Sequence, residues 1–461
     1  MIEVGNMGRW SHVKSWAFEH RWDIVLASVL GVLAFAEVMF ISGRLYPYLT
    51  PHEEDPPEIK AATFYNLWFD ADCPRYIQTM AHKSGFIERA EAHPLFATIS
   101  YPPTRIFRFL GFPKPTAIRL TLAVIGATFA ALGFLMLRLQ NLWPINAFLL
   151  ILICLTAAAF VCFFTIPESF SLAATSIIVG LLVLRTDGVD ARGDVTNNLI
   201  RHTVAGAIFL SITVTNWATS FFAAFLKLTK REAFLSLAAS LGIVSALVAL
   251  ESIISPYISG PFIGFVRDKR FVVDLLEEDS RWTRPFILLA YTIIFPSNVH
   301  KKPFPVSGEF VAGTSYQEVR LVENYALTFL TGAIWLAILA IGVVATVMRT
   351  LRNYKSIDGL VLMSFLAQFA LFLVYGRETF LYVALMLPWL LLIVGNAVDF
   401  LGQRRMSLAL GILVVLNGVN SIMCFPKAES ALQEVYYQRR ERLAQRAVER
   451  PGHDGKLRES K

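Results

Sequence analysis

The apolar residues of this chain are gathered in long blocks that short polar segments separate. Many blocks approach the ~20 residues that a helix needs to cross a bilayer at 1.5 Å of rise per residue. Inside lipid every backbone polar group must pair within the protein, so such blocks form helices. We therefore predict an all-α integral membrane protein with a polytopic bundle of about ten (9–12) transmembrane helices. The predicted spans are 24–42, 117–137, 144–164, 168–185, 203–226, 233–254, 325–348, 359–375, 380–398 and 406–425.

Two polar stretches, 43–116 and 255–324, are much longer than plain connections and are typical of functional loops. The apolar segment 286–295 is too short to span, and we interpret it as interfacial or re-entrant. The pattern favours one transmembrane domain over 1–426. It is followed by a basic tail over 427–461, amphipathic or disordered.

Charge gives the orientation of the predicted bundle. Only 17% of residues are charged, and the formal net charge of +7 comes from Lys and Arg in short loops, so the pattern is that of a membrane protein and not of a nucleic-acid-binding protein. The clusters predicted on the cytoplasmic side are Arg138, Arg185–Arg201, Lys227–Arg231, Arg349–Lys355 and Arg404–Arg405. This requires 203–226 to be a broken hairpin, with the break at Thr215-Asn216-Trp217. Both long loops then face the outside.

The two ends of the chain carry further signals. The first span follows a basic start without a cleavable signal pattern, and we interpret it as a retained anchor. The tail is basic, yet the number of predicted crossings places it outside. Either a span is miscounted or the tail is an exposed amphipathic helix. Its apolar residues Leu432, Val435, Tyr436 and Leu443 fall on one helical face. The four cysteines form no CxxC pattern, and neither a disulfide framework nor a zinc site is expected.

The segment Phe69-Asp70-Ala71-Asp72-Cys73-Pro74-Arg75-Tyr76, early in the first loop, is the strongest candidate for chemistry. Two carboxylates beside Arg75 and Tyr76 suit a general base that acts on a hydroxyl. Alternatively, Asp70 and Asp72 could hold a divalent cation through oxygen ligands. The structural alternative is that Asp72 caps a helix whose first turn contains Pro74.

Two more candidates lie near the outer face. His93, in the segment Glu91-Ala92-His93-Pro94-Leu95-Phe96, could contact a substrate or phosphate, or could be a capping or surface residue. Glu168, in Thr165-Ile166-Pro167-Glu168-Ser169, lies at a membrane junction, where an acidic side chain is costly unless it is solvated or paired. The alternative for Glu168 is a first-turn carboxylate favoured by the helix dipole.

Arg377 precedes Glu378 between two predicted spans. It could bind a lipid-linked phosphate through charge-assisted hydrogen bonds. Alternatively, Arg377 and Glu378 form a pair that caps a tight outer turn.

The order of these motifs over about 65–230 resembles the GT-C superfamily of membrane glycosyltransferases, most closely the protein mannosyltransferase and aminoarabinose transferase branch. The matching pieces are Asp72 with Tyr76, His93-Pro94-Leu95-Phe96, Ala117-Ile118-Arg119-Leu120 and Pro167-Glu168. Thr215-Asn216-Trp217 stands where that branch has Thr-Lys-Gly, so the cation is lost and Asn216 takes its place.

The resemblance implies a GT-C-like fold and an enzyme, a glycosyltransferase that inverts the anomeric centre. Its donor would be a sugar on a polyprenyl phosphate, and its acceptor a glycan, lipid or protein on the periplasmic or lumenal face. Asp72 would be the base, with Asp70 and Glu168 as further catalytic carboxylates and His93, Arg75, Tyr76, Arg377 and Asn216 as substrate contacts. The expected location is a bacterial inner membrane, or the ER membrane of a eukaryote. The rival function is a transporter or flippase for a lipid-linked or small polar substrate, which would keep its polar sites near the midplane.

Overall fold

The computed structural model describes residues 21–50, 67–82, 93–185, 195–254, 283–306, 309–317, 319, 324–375 and 378–449. The helices of the first half are α1 (Arg21–Leu45), α2 (Cys73–Ala81), α3 (Phe96–Phe109), α4 (Lys114–Leu139), α5 (Pro144–Leu155), α6 (Ala158–Phe163), α7 (Ser169–Arg185), α8 (Val195–Ile212), α9 (Ala218–Lys227) and α10 (Lys230–Ile254). The second half contains α11 (Arg284–Phe286), strands β1 (His300–Val306) and β2 (Glu309–Ser315), and helices α12 (Ala326–Arg352), α13 (Ile357–Val374), α14 (Val383–Gly395) and α15 (Val398–Glu449).

The described helices confirm a helical, multi-pass integral membrane protein. Six are long and apolar enough to cross a membrane, namely Arg21–Tyr48, Lys114–Leu139, Lys230–Glu251, Ala326–Arg352, Ile357–Val374 and Val398–Gln445. Four shorter apolar helices are Pro144–Leu155, Ser169–Arg185, Asn198–Ile212 and Thr379–Gly395. Eight of the ten predicted spans overlap a single helix each, whereas 144–164 and 203–226 are each divided into two shorter helices. Among the described helices, six meet the length of a full crossing.

The span predicted over 144–164 is broken, because α5 ends at Leu155 and Ala157 is extended. The break is stabilised by the buried apolar segment that was predicted over 286–295. The N–H groups of Ala158 and Ala159 donate to carbonyls of that segment at 3.0 Å each. Irregular backbone at membrane depth is tolerated where it is buried in protein, so this segment closes the gap between α5 and α6.

The predicted break at Thr215-Asn216-Trp217 is confirmed. Helix α8 ends at Ile212, Thr213 is extended, and a short 3₁₀ turn precedes α9. His202 of α8 and Lys227 of α9 line one cavity, so these parts of the two helices lie side by side. The end of α8 at Ile212 points the other way, and its carbonyl contacts His93 of the first loop. The two helices therefore form the hairpin that the charge distribution requires.

The two long loops meet at one end of the bundle, which we call the loop end. The Thr314 N–H of β2 donates to the carbonyl of Leu67 in the first loop at 2.9 Å. The Phe69 N–H donates to Thr314 Oγ1 at 3.1 Å. The basic ends of α4, α7 and α12 lie at the opposite end, which we call the basic end; there Arg138 pairs with Asp23 and Arg349 with Asp399.

The antiparallel hairpin of β1 and β2 was not predicted. Prolines 303 and 305 lie in β1, and proline is depleted in strands because it cannot donate to a ladder. In this two-stranded sheet β1 has one free edge, so its prolines are tolerated. The hairpin adds the only strands among the described residues and leaves the all-α class intact.

The last span and the tail form one helix, α15, kinked at Gly402 with φ 69°. The tail over 427–449 is thus helical, and Leu432, Val435 and Tyr436 are buried. Glu429 pairs with Arg44 at the end of α1, and Glu434 pairs with Lys301 of β1. These contacts place the tail at the loop end, on the side that parity predicts.

We expect cysteines at His82 and Ser430 to react from one side of the membrane and a cysteine at Lys355 to react from the other. His82 and Ser430 are exposed at the loop end, and Lys355 is exposed at the basic end. The four natural cysteines are all buried and give no background. A membrane-impermeant maleimide applied to sealed cells would measure this. Labelling of all three from the same side would contradict the arrangement.

Candidate functional site

A strained turn positions the first-loop carboxylates. Phe69 and Asp70 both have positive φ, 48° and 62°, which is uncommon for residues with a Cβ. The fully buried Phe69 ring packs on Trp68, Tyr316 and Phe380 with centroids 4.6–4.7 Å apart. Such strain persists only where the surroundings over-determine it, and it clusters at functional sites. The aromatic packing therefore holds the turn that leads into Asp72.

Asp72 occupies the helix-capping position that the sequence predicts, but its carboxylate makes no capping hydrogen bond. The side chain is buried and lies 3.5 Å from the Arg75 guanidinium, measured from Oδ2 to Nη1. Arg75 keeps 28% of its side chain exposed. The capping interpretation therefore explains the backbone of Asp72, while its carboxylate faces Arg75.

Glu168 bridges the first loop to the start of α7. Its Oε2 accepts the Asp72 N–H at 3.0 Å, and its Oε1 accepts the Ser169 N–H at 2.9 Å. Ser169 is the first residue of α7, so Glu168 also lies at the start of that helix, as the alternative interpretation predicts. Glu168 and Asp72 are both buried. Glu168 thus fixes the position of Asp72 through the backbone.

Ser169, which the sequence did not single out, is the centre of the side-chain network. Its Oγ accepts from the Tyr76 hydroxyl at 3.2 Å, donates to Glu168 Oε1 at 3.2 Å and lies 3.3 Å from His93 Nε2. The four-residue step from Asp72 to Tyr76 places both residues against the 168–169 pair. The only available signal was that Ser169 follows Glu168 directly.

His93 is buried, so the surface interpretation does not fit its side chain. Nδ1 lies 2.8 Å from the Ile212 carbonyl, which can only accept, so Nδ1 carries a proton. Nε2 then accepts from Ser169 when the ring is neutral and donates to it when the ring is charged. The single Ser169 proton can therefore turn between His93 and Glu168, and the three residues form a path for a proton.

The remaining predicted site residues are less central. Asp70 is partly exposed on the strained turn. Asn216 is fully buried, donates to the Ala173 carbonyl and accepts from Gln368, both at 3.0 Å. These bonds tie the α8–α9 break to α7 and α13, so Asn216 has a structural role, contrary to the expected substrate contact. Arg377 lies outside the described residues.

Glu378 is a buried carboxylate for which the sequence suggested only a capping role. It is fully buried near the strained turn, and Ser315 of β2 donates to its Oε2. Burial raises the pKa of Glu378 to about 7, against the bond from Ser315 and the charge of Lys302. Glu378 therefore changes charge near neutral pH, next to β2, the strand that joins the second long loop to the first.

We expect the folded protein to lose stability as pH rises from about 4.5 to about 7 and to change little above. The pKa of Glu378 is higher in the folded than in the unfolded state, so the folded state binds more protons in that window. The effect is worth up to about 3 kcal/mol. Between pH 4 and 9, the melting temperature of Glu378→Gln should fall less with rising pH than the melting temperature of wild type. Glu441→Gln, an exposed control, should follow wild type; equal profiles in all three proteins would contradict the assignment.

The predicted divalent cation has no ready site in the described part of the chain. There, no group of three or more His, Cys, Asp and Glu side chains is placed to hold a metal ion. A cation at Asp70 and Asp72 stays a prediction.

The chain was compared with protein-family models, characterised proteins and solved structures, and none of them matches it.

Proposed function

We propose that this protein is a membrane glycosyltransferase of the GT-C type, with about ten membrane crossings. It would move a sugar from a polyprenyl phosphate to an acceptor hydroxyl at the loop end. The observation that carries the proposal is the buried Asp72 carboxylate beside Arg75, on a residue whose backbone N–H is bound by Glu168. Three of the motif residues, Tyr76, His93 and Glu168, contact the Ser169 hydroxyl, and Glu168 also accepts the backbone N–H of Asp72.

In this proposal Asp72 is the general base. It takes the proton of the acceptor hydroxyl while the oxygen attacks the anomeric carbon of the donor. The bond from that carbon to the phosphate oxygen breaks, and polyprenyl phosphate leaves with the electron pair. One displacement inverts the anomeric centre, as the resemblance implies.

The surroundings of Asp72 suit that role. Arg75 lies next to the carboxylate and is partly exposed, so it can meet the leaving phosphate, whose charge cations stabilise in the transition state. The network of Glu168, Ser169 and His93 contacts the backbone of Asp72 through Glu168 and holds it in position. The long-chain donor needs a site at the membrane surface, which is where the predicted topology places the loop end.

The proposal is tested with purified protein in liposomes that contain polyprenyl phosphate carrying a radiolabelled sugar, with a total membrane extract as acceptor. A transferase moves the label into a new product and releases one polyprenyl phosphate per sugar. A flippase changes the leaflet of the label without breaking the bond to phosphate, and that result would overturn the proposal in favour of transport.

A further inference from the structure

A second candidate site lies at the basic end of the bundle, far from Asp72. A cavity of about 140 Å³ opens between the ends of α7, α8, α9 and α13. A single water needs only about 10–15 Å³ of such space, so the cavity can take a group of several atoms. The glycosyl-transfer proposal makes no use of it.

The polar lining of the cavity is cationic. It consists of the cationic side chains of Arg185 and Lys227, together with His202 and with Ser356 at the start of α13. The Ser356 hydroxyl caps α13 by accepting the Gly359 N–H at 3.3 Å. The N-terminus of an 18-residue helix adds a partial positive charge to these side chains. The cavity is therefore suited to an anion.

Arg185 has unused hydrogen-bonding capacity at this place. Its Nη2 donates to the Leu139 carbonyl. Its Nη1 is buried and has no hydrogen-bond partner among the described residues. A buried donor without an acceptor is costly, and an anionic oxygen is the acceptor that a guanidinium binds most strongly.

The nearest carboxylates are already matched by other groups. Asp358, in the first turn of α13, accepts from Asn396 at 2.9 Å and lies 3.8 Å from Arg349. Arg349 also binds both oxygens of Asp399 at 2.6 Å. Asp358 acts on Arg185 electrostatically, but among the described residues no carboxylate forms an ion pair with Arg185 or Lys227.

The rest of the lining is apolar and includes Leu184, Leu226 and Leu360. An anion that fits this wall carries a hydrocarbon part. We propose that the cavity binds the phosphate headgroup of an anionic phospholipid from the leaflet at the basic end. That leaflet is the cytoplasmic one in the proposed topology, where anionic lipids are concentrated.

The test uses the full-length protein in uncharged detergent, titrated with phosphatidylglycerol or phosphatidylcholine, with thermal stability and native mass spectrometry as readouts. We expect a saturable rise in melting temperature and a retained lipid with phosphatidylglycerol only. Arg185→Gln and Lys227→Gln should each weaken that binding about tenfold. Lys227 is exposed, so its variant reports on binding even if Arg185→Gln fails to fold.

The matched control is the double variant Arg352→Gln and Lys355→Gln, which removes two exposed cations from the same end outside the cavity. It should bind phosphatidylglycerol like wild type. Equal lipid binding in Lys227→Gln, the control and wild type would overturn the site. Inorganic phosphate alone, if it gives the same shift as the lipid, would assign the site to a soluble phosphate and overturn the lipid.

Discussion

Asp72→Asn should lower turnover by about 10²–10⁴-fold, the usual contribution of a general base, with the fold and donor binding intact. Asn keeps the shape of the side chain and the backbone N–H that Glu168 accepts. The change removes no capping bond, because the carboxylate makes none. The pair with the partly exposed Arg75 is a minor loss.

Turnover, donor affinity and melting temperature should be measured on the same preparations. Asp70→Asn is the matched control, since it removes the same charge two residues away, and Asn tolerates the positive φ of that position. Full activity in Asp72→Asn with loss in Asp70→Asn would reverse the assignment of the base. Full activity in both variants would remove this loop from the chemistry.

Glu168→Gln should lower both stability and turnover, which distinguishes it from Asp72→Asn. The two carboxylate oxygens accept N–H groups from Asp72 and Ser169, and a Gln side chain can satisfy only one of them, because its NH₂ group faces the other. We expect a loss of about 2–3 kcal/mol in stability, typical of a hydrogen bond to a buried charge. Turnover should fall more than tenfold, because Asp72 is no longer held.

The control for Glu168→Gln is Ser169→Ala, which breaks the side-chain network but keeps both N–H bonds to the carboxylate. It should cost less stability and leave Asp72 in place. In the double variant Asp72→Asn with Glu168→Gln, the losses of activity should be far from additive, as expected for residues that act as a unit. Strictly additive losses would show that Glu168 does not act through Asp72.

The helices could be predicted because their signal is local. A block such as 117–137 contains its own evidence for a helix, and α4 covers it. Lysine and arginine positions added the α8–α9 hairpin, because charge reports the side of the membrane. The four-residue step from Asp72 to Tyr76 predicted that both lie on one side of a helix, and in the fold the Asp72 N–H binds Glu168 and the Tyr76 hydroxyl binds Ser169.

The remaining features depend on contacts between distant parts of the chain. The break at Ala157 is stabilised by carbonyls of residues 292 and 293, and nothing near Ala157 indicates it. The β hairpin pairs with Leu67, 247 positions away from Thr314. The burial of Glu378 and the central position of Ser169 arise from the same packing of loops, which a single sequence does not encode in any local pattern.

Asn216 shows how a motif can mislead. It stands at the predicted break, where the resembling branch has a cation, and that position suggested a substrate contact. In the fold its amide is used by Ala173 and Gln368, and Gln368 in turn accepts from Trp389 at 2.9 Å. An amide in a broken helix needs such partners, because buried polar groups must be satisfied.

The central claim is that Asp72 promotes transfer of a sugar from a polyprenyl phosphate, and a single-turnover assay tests it most directly. Purified wild type and Asp72→Asn, each in excess over a radiolabelled polyprenyl-phosphate sugar, would be mixed with the acceptor extract and quenched over time. We expect wild type to convert the donor to polyprenyl phosphate and labelled product. Asp72→Asn should bind the donor equally well but convert it about 10²–10⁴-fold more slowly. Equal rates in the two proteins, or a donor that stays intact with wild type, would contradict the central claim.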